Sequence, residues 1–270
     1  KGCYTVSQNG TEIEALSDLN LERAISDALK QRQFQVFLQP IVDLSTRRPV
    51  GFESLIRWRH PHIGMIQPDY FIEFAERSGQ IRDIDLYMVG AVGRVLDELS
   101  KDFGQIIPIS VNVSASLLSR SDWIERLDVG LFSRGMRIEV TERALIADVS
   151  IAAETLQRLR DLGAHIYIDD FGTGYSSLSY LHRLPLDAIK IDRTFVDSLV
   201  DEEKSKSLVR ALVSLGQGMG CELIAEGIET EGQLEALQEL SVTRGQGYLF
   251  AKPLPVDEVS DYLRDAQGDT

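Results

Sequence analysis

Short apolar runs alternate along the chain with longer segments in which apolar residues recur at helical spacing. The helical segments include 20–32, 151–162 and 205–219, and Asn20 is predicted to cap the first of them. The apolar runs, each of strand length, are 34–38, 50–52, 107–111, 137–140, 165–168, 188–191, 222–225 and 248–250. Strands that alternate with helices indicate a parallel sheet with crossover helices, and about eight of them predict a (β/α)8 barrel.

The ends of the chain and one internal segment lack this alternation. Residues 1–18 are polar and aperiodic, so we interpret them as a linker or the end of a preceding domain, with one domain at 19–270. Residues 60–68 are predicted to form an irregular loop, because Pro61, Gly64 and Pro68 fall within them. The chain begins with Lys1, and we expect it to be part of a longer protein.

Charge narrows the set of partners. The 270 residues carry a net charge of −14, from 28 basic and 42 acidic side chains. Such a surface repels nucleic-acid backbones and anionic membranes, so we expect neither a DNA or RNA duplex nor membrane contact by this domain. A small anionic ligand remains compatible with this charge if bound cations invert the local field.

The cysteine content and the hydropathy of the chain indicate the cellular compartment in which the domain is expected. Cys3 and Cys221 have no metal-binding spacing, and we expect Cys221 to be buried and reduced. No signal peptide and no apolar run of membrane-spanning length is visible in the sequence. We therefore expect a cytoplasmic domain, which could be the cytoplasmic part of a larger membrane-attached protein.

Polar residues stand at the ends of the predicted strands or inside them. They are Gln39, Glu53, Asn112, Glu139, Asp169, Asp170, Lys190, Glu226 and Gln246. The carboxyl ends of parallel barrel strands converge on one mouth, where active sites are built. Any one of these residues could instead cap the following helix. Independent caps explain the whole set poorly, because Glu139 and Lys190 have apolar neighbours and would be costly to bury unpaired.

The chemistry of these side chains points to metal. Carboxylate and amide oxygens are ligands that magnesium and manganese prefer, and crowded carboxylates repel one another without a cation. Their number is sufficient for two ions that share a bridging carboxylate, an arrangement suited to displacement at phosphorus. The histidines, which follow no ligand spacing, are His60, His62, His165 and His182.

The segment 169–177 (DDFGTGYSS) is the most specific stretch. Two adjacent aspartates at a strand end can reach two metal ions from one backbone position. Gly172 and Gly174 permit a tight loop, and Ser176 and Ser177 are suited to cap the next helix. A plain strand-to-helix turn would explain the glycines and serines but not the paired aspartates.

Taken together, these stretches resemble the EAL domain family. The motifs that carry the resemblance are 53–58 (ESLIRW), 111–114 (VNVS), 138–142 (IEVTE), 169–178 (DDFGTGYSSL), 189–192 (IKID), 225–230 (AEGIET) and 246–253 (QGYLFAKP). They occur in the family's order and span about residues 20 to 265. The resemblance implies a modified (β/α)8 TIM-like barrel with one antiparallel strand. It also implies metal-dependent hydrolysis of cyclic di-GMP to linear pGpG, with Mg²⁺ or Mn²⁺, two ions per site.

The resemblance assigns roles to individual residues. The implied metal ligands are Glu53, Asn112, Glu139, Asp169, Asp170 and Glu226, with Asp169 as the bridge. Lys190 is implied to lie beside the attacking water and the phosphate, and Glu226 and Glu53 complete the catalytic set. The implied substrate contacts are Gln39, Leu55, Arg57 and Gln246. Glu142 is implied to anchor the loop from Phe171 to Ser177, and Glu229 to shape the metal site together with Gln246.

Departures from the family pattern and alternative functions remain open. Ser54 replaces the family alanine, and Leu38 and Thr243 are atypical at their positions. A catalytically silent cyclic di-GMP receptor and an unrelated magnesium-dependent barrel enzyme are the alternatives. We also expect a homodimer, for which Leu178 and Tyr180 could form a surface together with Leu181 or else belong to the core, and an upstream sensory or GGDEF domain.

Overall fold

The computed structural model describes residues 18–172, 181 and 183–268. Its strands are β1 (Phe34–Asp43), β2 (Pro49–His60), β3 (Gly64–Ile66), β4 (Ile109–Asn112), β5 (Met136–Thr141), β6 (His165–Phe171), β7 (Ala188–Ile191), β8 (Glu222–Ala225), β9 (Arg244–Gly245) and β10 (Leu254–Pro255). Its α-helices are α1 (Asp18–Lys30), α2 (Ile72–Ser78), α3 (Ile81–Phe103), α4 (Ala115–Leu118), α5 (Gly130–Ser133), α6 (Glu142–Ala147), α7 (Val149–Asp161), α8 (Arg193–Asp197), α9 (Glu203–Met219), α10 (Glu231–Glu239) and α11 (Val256–Gly268). Short 3₁₀ turns at Pro68–Tyr70 and Ile124–Arg126 complete these elements.

Eight strands close into a barrel in the order β1-β2-β4-β5-β6-β7-β8-β9, because β1 pairs with both β2 and β9. β1 runs antiparallel to both neighbours, whereas the remaining pairs in the ring are parallel. β3 and β10 lie outside the ring, on β2 and β1. The structure confirms the predicted barrel and its single antiparallel strand.

The barrel interior is layered. Side chains alternate across a strand with a period of two, so Tyr167, Ala188 and Ile224 point inward two residues before Asp169, Lys190 and Glu226. With Ile41 they form a separate buried apolar cluster. This cluster fills the interior beneath the polar layer, so the polar residues above it meet solvent only at the mouth.

Helices cover the outside of the barrel. The longest, α3, buries an apolar face that includes Ile84, Met88 and Val92, and it ends at Gly104 in a left-handed conformation (φ 63°). Thr230 opens α10 with a capping box closed by Gln233. None of the helices in the described part of the chain is both long and apolar enough to cross a membrane.

Most of the predicted elements are confirmed, and three are corrected. Helix α1 begins at Asp18 and already includes Asn20, so Asn20 does not cap it. The apolar stripe of a helix indicates which face is buried, but it defines the first residue of the helix less well. Residues 60–68 contain β3, which pairs with the end of β2 and so satisfies backbone groups of the expected loop. Residues 1–17 lie outside the described residues, so the linker interpretation remains a prediction.

The third correction concerns the last strand. Residues 248–250 form a turn, and the barrel closes instead through the two-residue strand β9. Gly247 packs so tightly on the backbone of Ile228 that a Cβ would lie 2.1 Å from its carbonyl oxygen. The Leu249 amide donates to the same carbonyl at 2.9 Å. The chain therefore turns where its apolar residues suggested an extended run.

Candidate active site

Lys190 occupies the centre of the barrel mouth. It lies in β7, a strand whose residues are all buried, and its side chain has no solvent exposure. Its ammonium contacts four carboxylates, those of Glu53 (2.9 Å), Glu226 (2.6 Å), Asp169 (3.6 Å) and Glu139. Residues from β2, β5, β6 and β7, together with Glu226 just after β8, therefore meet at one point, as the sequence predicted.

Two side-chain amides, those of Gln246 and Asn112, donate hydrogen bonds to carboxylates of the cluster. The Gln246 amide donates to Glu53 Oε2 at 2.5 Å and to Glu226 Oε1 at 3.0 Å. The Asn112 amide donates to Glu53 Oε1 at 3.2 Å. Glu53 therefore has partners on both oxygens, which fixes the orientation of its carboxylate.

The carboxylates form two groups that could each hold a metal ion. One group is Glu53, Glu139 and Glu226, and the other is Asp169, Asp170 and Glu226. Glu226 is common to both groups, whereas the resemblance assigns the bridge to Asp169, so that assignment remains a prediction. Glu139 Oε2 is buried without a hydrogen-bond partner among the described residues. A buried oxygen without a donor suits a cation, so the residues present fit a metal centre.

The electrostatics of the cluster also favour added positive charge. Burial and the neighbouring Glu53 raise the pKa of Glu139 well above its ordinary value, and burial raises the pKa of Glu226 to about 8. Burial alone would lower the pKa of Lys190, but Asp169, Glu139 and Glu226 raise it well above its ordinary range. Lys190 therefore stays charged, and one ammonium does not neutralise four crowded carboxylates.

The paired aspartates stand where β6 loses its regular register with β7, between Ile168 and Phe171. Asp170 adopts a left-handed conformation (φ 54°), and its amide donates to the Asp169 carboxylate at 2.8 Å. Burial and Asp169 raise the pKa of Asp170. The unusual backbone lets the adjacent carboxylates approach one another, as a shared metal centre requires.

Glu142 contacts Gly172, near the start of the predicted loop from Phe171 to Ser177. Its carboxylate accepts a hydrogen bond at 3.1 Å from the amide of Gly172, a glycine with a φ of 96°. The structure thus brings the predicted loop anchor to the base of that loop. The rest of the loop, residues 173–177, lies outside the described residues.

Of the predicted substrate contacts, Gln246 lies within the cluster, where it donates to Glu53 and Glu226, whereas Gln39 and Arg57 lie beside it. Gln39 pairs in register with Glu53 across β1 and β2, and its amide donates to the Ala251 carbonyl at 3.4 Å. The Arg57 guanidinium lies 5.7 Å from the centre of the Phe37 ring and donates to the Ile56 carbonyl at 2.8 Å. Burial lowers the pKa of Arg57.

A cavity of about 670 Å³ opens beside the cluster. Its lining includes Leu55, Asn112 and Asp170, together with apolar side chains of α2 and α3. Small-molecule sites usually have this size and this mixture of apolar and polar walls. The cavity therefore extends the predicted site on the side of α3.

Glu229 lies at the edge of the site. Its carboxylate pairs with Arg193 at 2.9 Å, and both side chains are partly exposed. Arg193, which the sequence analysis did not single out, also packs on Gly227, where a Cβ would lie 2.5 Å from the arginine Cγ. Glu229 therefore holds the segment after Glu226 through Arg193, and a direct role at the metal site remains a prediction.

Comparison with known proteins agrees with this geometry. The EAL domain family matches residues 22–253. The chain belongs to the EAL domain family. The cyclic di-GMP phosphodiesterase NbdA of Pseudomonas aeruginosa is 37% identical over 257 residues, which cover 93% of this chain and 33% of NbdA.

Two further relatives are also named as phosphodiesterases. The cyclic di-GMP phosphodiesterase PA2567 of Pseudomonas aeruginosa is 36% identical over 86% of this EAL chain and 40% of its own length. The solved PaMucR phosphodiesterase in complex with c-di-GMP has a TM-score of 0.81 and 34% identity, covering 88% of this chain and 99% of that one. The EAL chain thus spans between a third and two fifths of the two curated relatives' length.

Ser54, the departure from the family motif, is accommodated between strands. Its side chain is buried, and its hydroxyl donates to the Ser110 carbonyl on β4 at 2.7 Å. It points away from the acidic cluster, because side chains alternate along β2, and it contributes to the wall of the neighbouring cavity. We therefore expect Ser54 to contribute to packing rather than to catalysis.

We predict that Ser54→Ala costs about 1 kcal/mol of unfolding free energy, the usual net value of one hydrogen bond. Any catalytic turnover at this site should change by less than about threefold, because the Glu53 carboxylate keeps its partners. Urea unfolding and steady-state kinetics measure the two effects. A tenfold change in turnover would place Ser54 among the residues that position Glu53.

Asp85 is a buried carboxyl that the sequence analysis missed. It lies on α3 and accepts hydrogen bonds from the Ser114 amide at 3.0 Å and the Ser114 hydroxyl at 2.6 Å. Ser114 caps α4 two residues after Asn112. Burial raises the pKa of Asp85 to about 7, although the bonds from Ser114 oppose this shift. The signal in the sequence was an aspartate at a core position of an apolar helical stripe.

This burial predicts a pH dependence of stability. The pKa of Asp85 is higher in the folded protein than its unfolded value of about 4. The protonated carboxyl therefore contributes fully to the free energy of unfolding at low pH, and this contribution is lost as the pH rises toward about 7. From about pH 5 to about pH 7, the wild type should lose about 2 kcal/mol more than Asp85→Asn. Urea unfolding at both pH values measures this difference, and parallel losses in the two proteins would contradict it.

Proposed function

We propose that the chain hydrolyses one of the two phosphodiester bonds of cyclic di-GMP, producing linear pGpG and ending a second-messenger signal in the bacterial cytoplasm. In this reaction, water supplies hydroxide to phosphorus and a proton to the departing ribose oxygen. The observation that carries the proposal is the convergence of Glu53, Glu139 and Glu226 on Lys190 at the mouth of an EAL barrel. The relatives named as phosphodiesterases support it.

The proposal includes two divalent cations, magnesium or manganese. Glu53, Asn112 and Glu139 would hold one, and Asp169 and Asp170 the other, with Glu226 in reach of both groups. When bound, such ions acidify water and neutralise phosphate oxygens. The unpartnered Glu139 oxygen supports this assignment, as do the raised pKa values of Glu139 and Glu226.

The remaining polar residues orient the substrate. Lys190 supplies a positive charge that its buried position fixes in place, so it can stabilise charge on the phosphoryl group without reorganising. Gln246 holds the carboxylates of Glu53 and Glu226. Arg57 presents a planar guanidinium suited to a phosphate, and the 670 Å³ cavity is large enough for a nucleoside.

The alternative is a receptor that binds cyclic di-GMP without cleaving it. Such a protein needs neither an assembled metal site nor a buried lysine beside it. Here four candidate ligands converge on Lys190, and the amides of Asn112 and Gln246 donate hydrogen bonds to two of them, Glu53 and Glu226. This completeness favours the enzyme.

The deciding experiment incubates the purified chain with cyclic di-GMP and either magnesium or manganese, with product analysis by chromatography. The enzyme releases pGpG only when metal is present, and chelation stops the reaction. Binding of cyclic di-GMP without any pGpG would instead establish the receptor.

The assembly of the whole protein also belongs to this proposal. Because the relatives are much longer, we propose that this domain works within a larger protein with a sensory or GGDEF region upstream. We propose a homodimer, but Leu181 is buried within the chain and is therefore not part of a dimer surface. Leu178 and Tyr180 lie outside the described residues.

A further inference from the structure

Helix α8 follows β7 after one residue and is joined firmly to the core. It begins at Arg193, and the Asp192 carboxylate caps it by accepting a hydrogen bond from the Thr194 amide at 3.0 Å. Val196 is completely buried, and its carbonyl accepts a hydrogen bond from the Gln233 side chain at 3.4 Å. Because these contacts hold the helix in place, its other side chains can support the segments beside them.

Phe195, on α8, packs against the segment that follows the paired aspartates. A Cβ atom on Gly172 would lie 3.0 Å from two carbons of the Phe195 ring, so the ring and the glycine backbone are in close contact. Gly172 follows Asp170 by two residues and has a left-handed backbone (φ 96°). The Glu142 carboxylate accepts a hydrogen bond from the amide of the same glycine. The position of Gly172 is therefore restricted by a ring as well as by a hydrogen bond.

Arg193 packs in a similar way against the segment that follows Glu226. A Cβ atom on Gly227, which also has a left-handed backbone (φ 68°), would lie 2.5 Å from the Arg193 Cγ and 2.9 Å from its Cδ. The guanidinium pairs with Glu229 at 2.9 Å and with Asp197 at 3.1 Å. Because these ion pairs are exposed to solvent, they contribute little by themselves. The main contact is therefore the aliphatic part of the arginine, which lies on the glycine.

The two contacts have the same consequence for the neighbouring metal ligands. A glycine has the freest backbone of all residues, and it has no side chain that could hold it in place by packing. Gly172 and Gly227 therefore depend on support from neighbouring elements, and α8 supplies it to both. One glycine follows the paired aspartates and the other follows Glu226 directly. Helix α8 thus contacts both segments that contribute to one candidate metal group, Asp169, Asp170 and Glu226, which we call the second group.

We propose that Arg193 and Phe195 are positioning residues, which hold the carboxylates of the second group in the geometry that a cation requires. This inference rests on the proposed function. Both residues act through the backbone of a glycine and not on the substrate. Residues that orient metal ligands typically contribute about 10–100-fold to metal affinity or activity. Removal of either side chain should therefore weaken metal binding and lower kcat, whereas KM should change little.

The test combines calorimetric titration of manganese into the chelator-treated chain with steady-state kinetics on cyclic di-GMP. Phe195→Ala and Arg193→Ala should each lower manganese affinity about tenfold and kcat about tenfold, with KM within about twofold of wild type. Arg193→Lys should stay within about threefold of wild type, because lysine keeps an aliphatic stem over Gly227 and a cation opposite Glu229. Excess manganese should restore much of the lost kcat in Phe195→Ala, a response that a misfolded protein would not give.

Arg134 provides a matched control. It pairs with Asp97 at 3.2 Å and with Asp128 at 2.6 Å, and a Cβ atom on Gly130 would lie 3.2 Å from its guanidinium. It immediately precedes the β5 segment and therefore lies at the end of the barrel opposite the mouth. Arg134→Ala removes an arginine with similar contacts, and it should leave manganese affinity and kcat unchanged.

Unchanged manganese affinity in both Phe195→Ala and Arg193→Ala would overturn the positioning function while the phosphodiesterase stands. A raised KM with an unchanged kcat would overturn it as well, because the two residues would then act on the substrate. Absence of pGpG from the wild-type protein would instead overturn the proposed function. The manganese titration would still decide in that case whether α8 holds the metal ligands.

Discussion

Replacing Glu53 with glutamine is expected to lower cyclic di-GMP hydrolysis by roughly three orders of magnitude or more. Glu53 is the carboxylate that the other residues hold most tightly, by Lys190 at 2.9 Å, Gln246 at 2.5 Å and Asn112 at 3.2 Å. Glutamine has nearly the same shape but lacks the negative charge, and it replaces one acceptor oxygen with an NH2 group that has two donors. A cation would therefore lose one anionic ligand, and the new NH2 group would face a donor in either orientation, Lys190 and Gln246 on one side or Asn112 on the other.

The measurement combines product chromatography with calorimetric titration of manganese. Manganese affinity should fall together with turnover, and excess manganese should restore only part of the activity. Glu154→Gln is the matched control, because this carboxylate is exposed on α7 and the same change of charge should have no effect on either quantity. A Glu53→Gln protein with more than a tenth of wild-type turnover would remove Glu53 from the metal site.

The barrel could be predicted from the sequence because its inner strands are buried on both sides. The run 188–191 coincides with β7, where every residue is buried, so apolar continuity alone defines the strand. The hairpin of β1 and β2 extends well beyond the predicted 34–38 and 50–52. Pairing between these two strands continues past the apolar runs, and backbone pairing leaves no signal in side-chain polarity.

The candidate site was predictable for a similar reason. Polar residues at the carboxyl ends of parallel strands must converge, so the meeting of Glu139, Asp169 and Glu226 follows from the fold. Contacts between side chains do not follow from it. The distance from Lys190 to each carboxylate cannot be predicted from the sequence. The strand pattern also does not predict that Glu226 lies at the centre of the cluster while Glu229 pairs with Arg193 at its edge.

Lys190 is the residue whose loss should have the widest consequences, because it is the only cation that the described structure places inside the cluster. Lys190→Met keeps the length of the side chain and removes its charge. In the absence of metal, Glu53, Glu139 and Glu226 would then face one another with no cation between them, and Glu53 and Glu226 would keep only their hydrogen bonds from neutral amides. Removing one partner of a buried ion pair typically costs about 3–5 kcal/mol, and we expect a destabilisation of that order.

Added metal should distinguish the contribution of Lys190 to stability from its contribution to catalysis. Bound cations would replace the missing positive charge, so saturating manganese should restore most of the lost stability of Lys190→Met. It should not restore turnover, which we expect to fall about a hundredfold or more because the charge beside the phosphoryl group is gone. Thermal unfolding with chelator and with manganese, alongside product chromatography, measures both.

Lys206→Met is the control for the loss of a lysine. Lys206 is partly exposed and only loosely paired with Glu203, at 3.9 Å, so its replacement should change neither the thermal stability nor the turnover. If manganese restored both stability and turnover in Lys190→Met, the lysine would be a structural counter-ion alone. If Lys190→Met were as stable as the wild type in chelator, the carboxylates would be stable beside one another without a cation. The electrostatic argument for bound metal would then lose its main support.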